Sequence, residues 1–120
     1  MDVVADYSIN VSFEDRRRGG EYLIQAREAA GLMAKDVAKH LGVTAAFMSN
    51  LERGKTPVKP AYVLKLADLY GVPQAEFAKR MLRYRDPVMY AMLFGVEGDR
   101  ELEVTVKALL EAAEMKPEGK

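Results

Sequence analysis

Side chains of the kinds that carry out catalysis are scarce in this sequence. There is one histidine, His40, and no cysteine, so neither a thiolate nucleophile nor a His/Cys zinc cluster can be assembled. No serine lies in a nucleophile motif, and Arg18-Gly19-Gly20 is not part of a phosphate-binding G-x-x-x-x-G-K pattern. We therefore expect a protein that is not an enzyme and that holds no metal and no cofactor.

The charged residues are balanced in number but unevenly distributed. Residues 16–59 hold nine cations against four anions, a local net charge of +5. Residues 86–118 hold eight anions against three cations, a local net charge of −5. A basic half beside an acidic half indicates that only the first half meets a polyanion.

Length and composition are those of one globular domain with a small extension: 120 residues, 49% apolar and 30% charged. No apolar run approaches the roughly 20 residues that span a bilayer. The first residues lack the basic and apolar regions of a secretion signal. We expect a cytoplasmic protein without a membrane partner.

Hydrophobic periodicity predicts helices over most of the chain. Residues 7–13, YSINVSF, instead alternate like a half-buried strand, and the basic run ending in Gly19-Gly20 breaks that pattern. Boundary signals from Gly, Pro and Thr predict helices from about residues 21–30, 34–41, 45–53, 60–70, 73–85, 87–94 and 99–115. Residues 88–94, VMYAMLF, are apolar nearly all round, which predicts burial on several sides.

The second and third predicted helices, separated by a three-residue turn, form a helix-turn-helix by length and spacing. Spaced positions in and around them fit a known pattern: Leu23, Arg27, Gly31-Leu32, Val37-Ala38, Leu41-Gly42-Val43-Thr44, Met48-Ser49, Leu51-Glu52-Arg53-Gly54-Lys55, Leu66-Ala67 and Gly71-Val72. With these residues, the segment 22–77 resembles the DNA-binding domain of the Cro/CI-type phage repressors and the related Xre regulators. That segment is about half of the chain.

The predicted fold is all-α: a five-helix repressor-like helix-turn-helix domain with a strand-like N-terminal arm and two added C-terminal helices. We divide the chain into an arm (residues 1–18), a DNA-binding domain (19–85) and a helical extension for dimerisation or partner binding (86–116).

An ion pair between Arg27 and Glu52 is implied by the resemblance, since many family members pair an arginine of the first helix with the glutamate that ends the third. Physical reasoning agrees with it. Arg27 lies on the apolar face of its helix, where a charge needs a counter-ion. We expect a largely buried pair, with the guanidinium bidentate on the carboxylate.

The DNA-reading face follows from the resemblance and from the docking of such domains, in which the second helix of the motif enters the major groove. The residues implied near bases and phosphates are Thr44, Ala45, Ala46, Phe47, Ser49, Asn50, Lys55, Thr56 and Lys35. Asn50 can contact adenine through two hydrogen bonds, and Ala45 and Ala46 can press on thymine methyl groups. Phe47 is either a DNA contact or the edge of the core.

Two departures from the family pattern predict modest base discrimination. Met33-Ala34 stands where members commonly open a helix with Ser/Thr-Gln, and Ala45 stands where many carry glutamine or arginine. Readout would then be shared with DNA shape or with a flanking arm. Arg16, Arg17 and Arg18 form either such an arm, entering a minor groove, or a solvated charge run.

The expected function is that of a transcriptional regulator that binds double-stranded DNA as a homodimer on a short palindromic operator. The alternative is an antitoxin-like or anti-activator module that binds a protein partner through its C-terminal helices. Candidate dimer contacts lie in the strand-like segment and in a C-terminal seam, which could instead pack on the apolar helix: Tyr7, Ile9, Val11, Phe13, Leu102, Val106 and Leu109.

Overall fold

Regular structure is helical throughout the part of the chain that the computed structural model describes, residues 13–114, with side chains to residue 112. The helices in this part are α1 Phe13–Ala29, α2 Ala34–Leu41, α3 Ala45–Glu52, α4 Pro60–Tyr70, α5 Gln74–Arg85, α6 Pro87–Phe94 and α7 Arg100–Glu114. The all-α class is confirmed for this part of the chain. None of these helices is long and apolar enough to cross a membrane.

Local signals in the sequence set the ends of α2 to α7. Gly42 closes α2 in the left-handed conformation at φ 74°, where its N–H bonds back to the last turn. The side chains of Thr44, Asp86 and Asp99 accept hydrogen bonds from backbone N–H groups in the first turns of α3, α6 and α7. Each of these helices accordingly starts within one residue of its predicted position.

The first helix is where the prediction is wrong. It begins at Phe13 rather than near Glu21, and it continues through Gly19 and Gly20. A Cβ atom at Gly20 would lie 2.2 Å from the carbonyl oxygen of Glu52, so this glycine permits close packing against α3 rather than ending a segment.

The longer α1 overturns two predictions about the N-terminal arm. The boundary proposed at residue 18 falls inside the helix, and Phe13, the last residue of the predicted strand, is helical. The other residues of that strand, Tyr7, Ile9 and Val11 among them, lie outside the described residues.

The hydrophobic core lies among α1 to α5. Its buried members come from every one of these helices, and they are Leu23, Val37, Ala38, Leu41, Met48, Leu51, Leu66, Ala67, Tyr70, Phe77 and Met81. Phe77 is the largest of the completely buried side chains, and the rings of Tyr22 and Tyr70 lie 5.6 and 6.2 Å from it. The core therefore supports the helix-turn-helix without any contribution from α6 or α7.

The two C-terminal helices differ from prediction in what they bury. Helix α6 packs against α5 and α7, and within it just Pro87 is buried, so the predicted burial on several sides is wrong. In α7, Leu102 is completely buried, while Val106 and Leu109 are half-buried. Leu102 is therefore buried within its own chain and is not available as a dimer contact.

Candidate nucleic-acid interface

Helices α2 and α3 and the turn at residues 42–44 present one end of α3 to solvent. The turn is tied back to α2 by the bond from Val43 N to Ala38 O, 3.0 Å. The hydroxyl of Thr44 accepts from Phe47 N at 3.0 Å and starts α3. Because Met48 and Leu51 are buried, the opposite side of α3 faces outward. The residues of this reading face are either exposed or half-buried: Thr44, Ala45, Ala46, Ser49 and Asn50.

The far end of α3 is fixed by Arg27 and Glu52. Arg27 Nε donates to Glu52 Oε2 at 2.7 Å, and Arg27 Nη2 donates to Glu52 Oε1 at 3.3 Å, so the pair is bidentate as expected. Arg27 Nη1 also donates to the carbonyl oxygen of Leu32 at 3.0 Å. The two side chains are only 15% and 9% exposed. One guanidinium thus joins α1, the loop before α2 and the end of α3.

The electrostatics of this pair agree with its geometry. The hydrogen bond with Glu52 raises the pKa of Arg27 above its ordinary value, although partial burial opposes the shift. Burial, and then the negative charge of Glu52, raise the pKa of the Tyr70 phenol nearby. The hydroxyl of Tyr70 is buried and has no hydrogen-bond partner among the described residues. The ion pair therefore lies beside a neutral phenol.

Phe47 belongs to the edge of the core. Its half-buried ring meets the ring of Tyr62 edge-on, with centroids 6.0 Å apart. Of the two alternatives for this residue, packing is therefore the one observed. The remaining exposed part of the ring lines a cleft at the start of α4, together with Thr44, Thr56 and Lys59.

Three lysines in and near the helix-turn-helix have no counter-ions. Lys35, Lys55 and Lys59 form no ion pair with any residue in the described range. Thr56, half-buried, lies in the same cleft as Lys59. Lys59 was missed by the sequence reasoning, although Pro60 after it marked the start of α4. The positive charge of these lysines is thus free for an external anion.

The basic run at residues 16–18 is not such a surface, and its interpretation as an arm is wrong for these residues. Arg17 pairs with Glu14 and Glu21 on α1, and Arg18 pairs with Glu101 on α7. The hydrogen bond with Glu14, and then the charges of Glu14 and Glu21, raise the pKa of Arg17, and the hydrogen bond with Glu101 raises the pKa of Arg18. Arg16 has its guanidinium 5.8 Å from the ring of Phe13. The three side chains lie on a helix and are engaged within the chain.

A second charge cluster was also missed by the sequence reasoning. Arg83 is buried, and its Nη1 lies 3.5 Å from Asp15 Oδ1 while its Nε donates to Asp99 Oδ2 at 3.1 Å. The three residues come from α5, α1 and the cap of α7. No local pattern marks them, since each partner is distant in sequence.

The start of α2 differs from the family pattern in the structure as it does in the sequence. Met33 occupies the cap position, makes no side-chain hydrogen bond there and is exposed. The side-chain contact that Ser or Thr could make with a phosphate at this position is therefore absent.

Comparison with known proteins agrees with the observed motif. No curated protein and no solved structure matches the chain. Residues 20–79, half of the chain, match a protein family described as a helix-turn-helix domain. The matched residues include all of α2, α3 and α4, with the pair Arg27 and Glu52. The chain belongs to this helix-turn-helix family, which is of the Cro/CI/Xre-like type.

Proposed function

We propose that the protein is a transcriptional regulator that binds double-stranded DNA as a homodimer on a short, roughly palindromic operator. Membership of a helix-turn-helix family suggests DNA binding in general. The single observation that supports the specific proposal is the exposed first turn of α3, in a helix-turn-helix segment whose lysines Lys35, Lys55 and Lys59 have no counter-ion in the described part of the chain. The protein acts by binding and not by catalysis.

Within the interface, α3 enters the major groove with its N-terminal half. Among the residues of this face, Asn50 can form the most hydrogen bonds with one base, since its amide can both donate to and accept from adenine. The amide oxygen lies within 3.5 Å of Arg53 Nη2, which favours one orientation of that amide. Ser49 offers a single hydroxyl, and Ala45 and Ala46 offer methyl groups that fit thymine.

Phosphate contacts come from the residues around this face. Lys35 lies at the start of α2, Lys55 lies after α3, and Thr56 and Lys59 line the cleft before α4. Such contacts fix the position of the protein on the duplex without reading its sequence. Because few side chains reach base edges, sequence preference is modest and DNA shape contributes.

A two-fold symmetric dimer explains how so few readers suffice. Each α3 reads one half-site, and two copies about 34 Å apart meet successive turns of the major groove. The operator then repeats the same short sequence in inverted orientation. Base contacts count twice, once in each half-site.

Selection of bound DNA from a random pool tests this proposal. The expected result is an inverted repeat with adenine or thymine prominent opposite α3. Binding to the selected sequence should exceed binding to random DNA by at least about a thousandfold at physiological salt. A pool that stays random, with a purely salt-dependent affinity, would contradict sequence-specific regulation.

A protein-interaction module is the second candidate, because α6 exposes several large apolar side chains. An antitoxin-like or anti-activator protein of this kind uses the helix-turn-helix as a scaffold. It would yield no DNA motif from the pool although the protein is folded, and this result separates the two functions.

A further inference from the structure

The outer side of α6 forms an apolar face with no cover from residues 13–112. Met89, Met92 and Leu93 follow at i, i+3 and i+4 and share one side of the helix. Their exposures are 43, 74 and 62%. We name these three residues the α6 face.

The size of the α6 face approaches the apolar part of a protein interface. With roughly 200 Å² for each large side chain, the three exposed fractions amount to roughly 350 Å². A stable interface of standard size buries about 800 Å² on each partner. About 57% of such an area is non-polar, which is roughly 450 Å². The α6 face by itself supplies most of that share.

The composition of the α6 face is that of an interface centre. Residues 87–94 contain no charged side chain, whereas α5 and α7 on either side are rich in charges. Methionine and aromatic residues are enriched at the centres of interfaces, and charged residues are depleted there. Lys79 lies at the margin, with its Nζ 4.5 Å from the centroid of Phe94. The polar rim of an interface would begin at such residues.

The α6 face also has a fixed orientation relative to the helix-turn-helix. Arg83 joins α5 to the cap of α7 through Asp99, and Arg18 pairs with Glu101 across α1 and α7. A partner seated on α6 is therefore oriented with respect to α3. A second copy of this chain is the occupant for which that orientation matters, because it sets the separation of two reading helices.

We propose that the α6 face is the dimer interface, with a second copy of the chain packing its own α6 against it about a two-fold axis. This proposal rests on the homodimeric function proposed above and assigns its surface. It replaces the seam that includes Leu102, which is buried within the chain.

Sedimentation equilibrium of the full chain, without DNA and between about 1 and 100 µM, tests the interface. The wild-type chain should be dimeric, and Leu93→Glu should raise the dissociation constant of the dimer at least about tenfold by placing a charge at the centre. The matched control is Leu64→Glu, an exposed leucine on α4 at 51%, which should leave the constant unchanged. Circular dichroism checks that both variants keep their helix content.

A cross-linking experiment gives a second test, which does not require the fold to tolerate the charge that Leu93→Glu introduces. The chain contains no cysteine, so Met92→Cys and Leu64→Cys each introduce a single thiol. Met92→Cys should form a disulfide-linked dimer under mild oxidation, because symmetric thiols near a two-fold axis come within bonding distance. Leu64→Cys should remain unlinked.

Three results would overturn the proposal: a wild-type monomer at about 100 µM, a dimer unaffected by Leu93→Glu, or cross-linking through Leu64→Cys instead. A wild-type chain that stays monomeric and uses α6 only to bind a different protein would give the first of these results and would also overturn the proposal. Because the sedimentation contains no DNA, a failure of operator selection does not alter the oligomeric state that it measures. If an operator is found, Leu93→Glu should keep wild-type affinity for a single half-site and lose the cooperative binding of two.

Discussion

Arg83 and Asp99 connect the helix-turn-helix domain to its C-terminal extension. Arg83 Nε donates to Asp99 Oδ2 at 3.1 Å, while Asp99 Oδ1 accepts the N–H of Leu102 at 2.9 Å and so caps α7. On its other side the guanidinium lies 3.5 Å from Asp15 of α1. A single buried cation therefore holds the start of α7 against α1 and α5.

Substitution Arg83→Ala should lower the free energy of unfolding by about 3 kcal/mol, because it removes one member of a buried ionic cluster. Denaturant titration measures this loss. The control is Arg80→Ala, on the exposed side of the same helix, where the guanidinium lies 4.6 Å from the ring of Tyr22. That change should cost about 1 kcal/mol or less. Equal losses in the two variants would contradict the role given to Arg83.

The cap of α7 should also make stability depend on acid pH. Burial alone would raise the pKa of Asp99, but the hydrogen bonds from Leu102 N and from Arg83 hold it below its ordinary value of 3.8. A group with a lowered pKa stabilises the fold above that ordinary value and loses this contribution as the pH falls through the folded value. Unfolding free energy should therefore decline below about pH 4. Asp99→Asn, which cannot ionise, should show a smaller decline; an identical profile would refute the linkage.

Short-range signals explain why α2 to α7 could be located from the sequence. Caps such as Thr44 and the Asp86-Pro87 pair act within one helical turn, so they can be recognised from a few neighbouring residues. Gly19 and Gly20 show the opposite case. Taken alone they indicate a break, but the contact that requires Gly20 is with α3, distant in the chain. Tertiary packing, and not a local break signal, therefore explains the glycine at position 20 within α1.

The exposed side of α6 illustrates a second limit of prediction from the sequence. A helix that is apolar all round predicts burial, but periodicity does not tell whether the cover comes from the same chain or from another molecule.

The acidic partners of Arg17 are a third feature that the sequence alone did not reveal. Glu14 and Glu21 have helical spacing, and their role is visible only once α1 is known to start at Phe13.

The close approach of α1 and α3 gives a prediction from two adjacent glycines. Gly20→Ala should destabilise the protein by about 3 kcal/mol, since its Cβ would meet the backbone of Glu52 at 2.2 Å. Gly19→Ala should be close to neutral. Its Cβ would lie 3.1 Å from Cβ of Tyr84, so α5 must move by a few tenths of an ångström, and the preference of alanine for the helix, about 1 kcal/mol, offsets this cost. Thermal unfolding compares the two, and similar melting temperatures would show that α1 and α3 are further apart.

The ion pair at the end of α3 could be predicted because Arg27 lies at an apolar position and the family pattern supplies Glu52 as its partner. Arg27→Ala should lower the free energy of unfolding by about 3–5 kcal/mol, because it leaves a carboxylate in a site that is 9% exposed. Arg53→Ala, at an exposed position next to Glu52, is the control and should change stability by about 0.5 kcal/mol at most. A loss below about 1 kcal/mol for Arg27→Ala would indicate a solvated pair.

Asn50 and Lys55 should separate base reading from phosphate binding. Asn50→Ala should relax base preference at one position in each half-site, at a cost of about 1–3 kcal/mol, because its amide can donate to and accept from an adenine at the same time. Lys55→Ala should weaken binding to all sequences alike and reduce the slope of log affinity against log salt by about one, since one phosphate contact is lost. Titration of selected and random DNA over a salt series measures both effects. Lys107→Ala is the matched control for Lys55→Ala. Lys107 is exposed on α7, outside the helix-turn-helix residues 20–79, and its loss should leave both the motif and the salt slope unchanged. A motif that is unaltered by Asn50→Ala would mean that α3 does not dock by its N-terminal half.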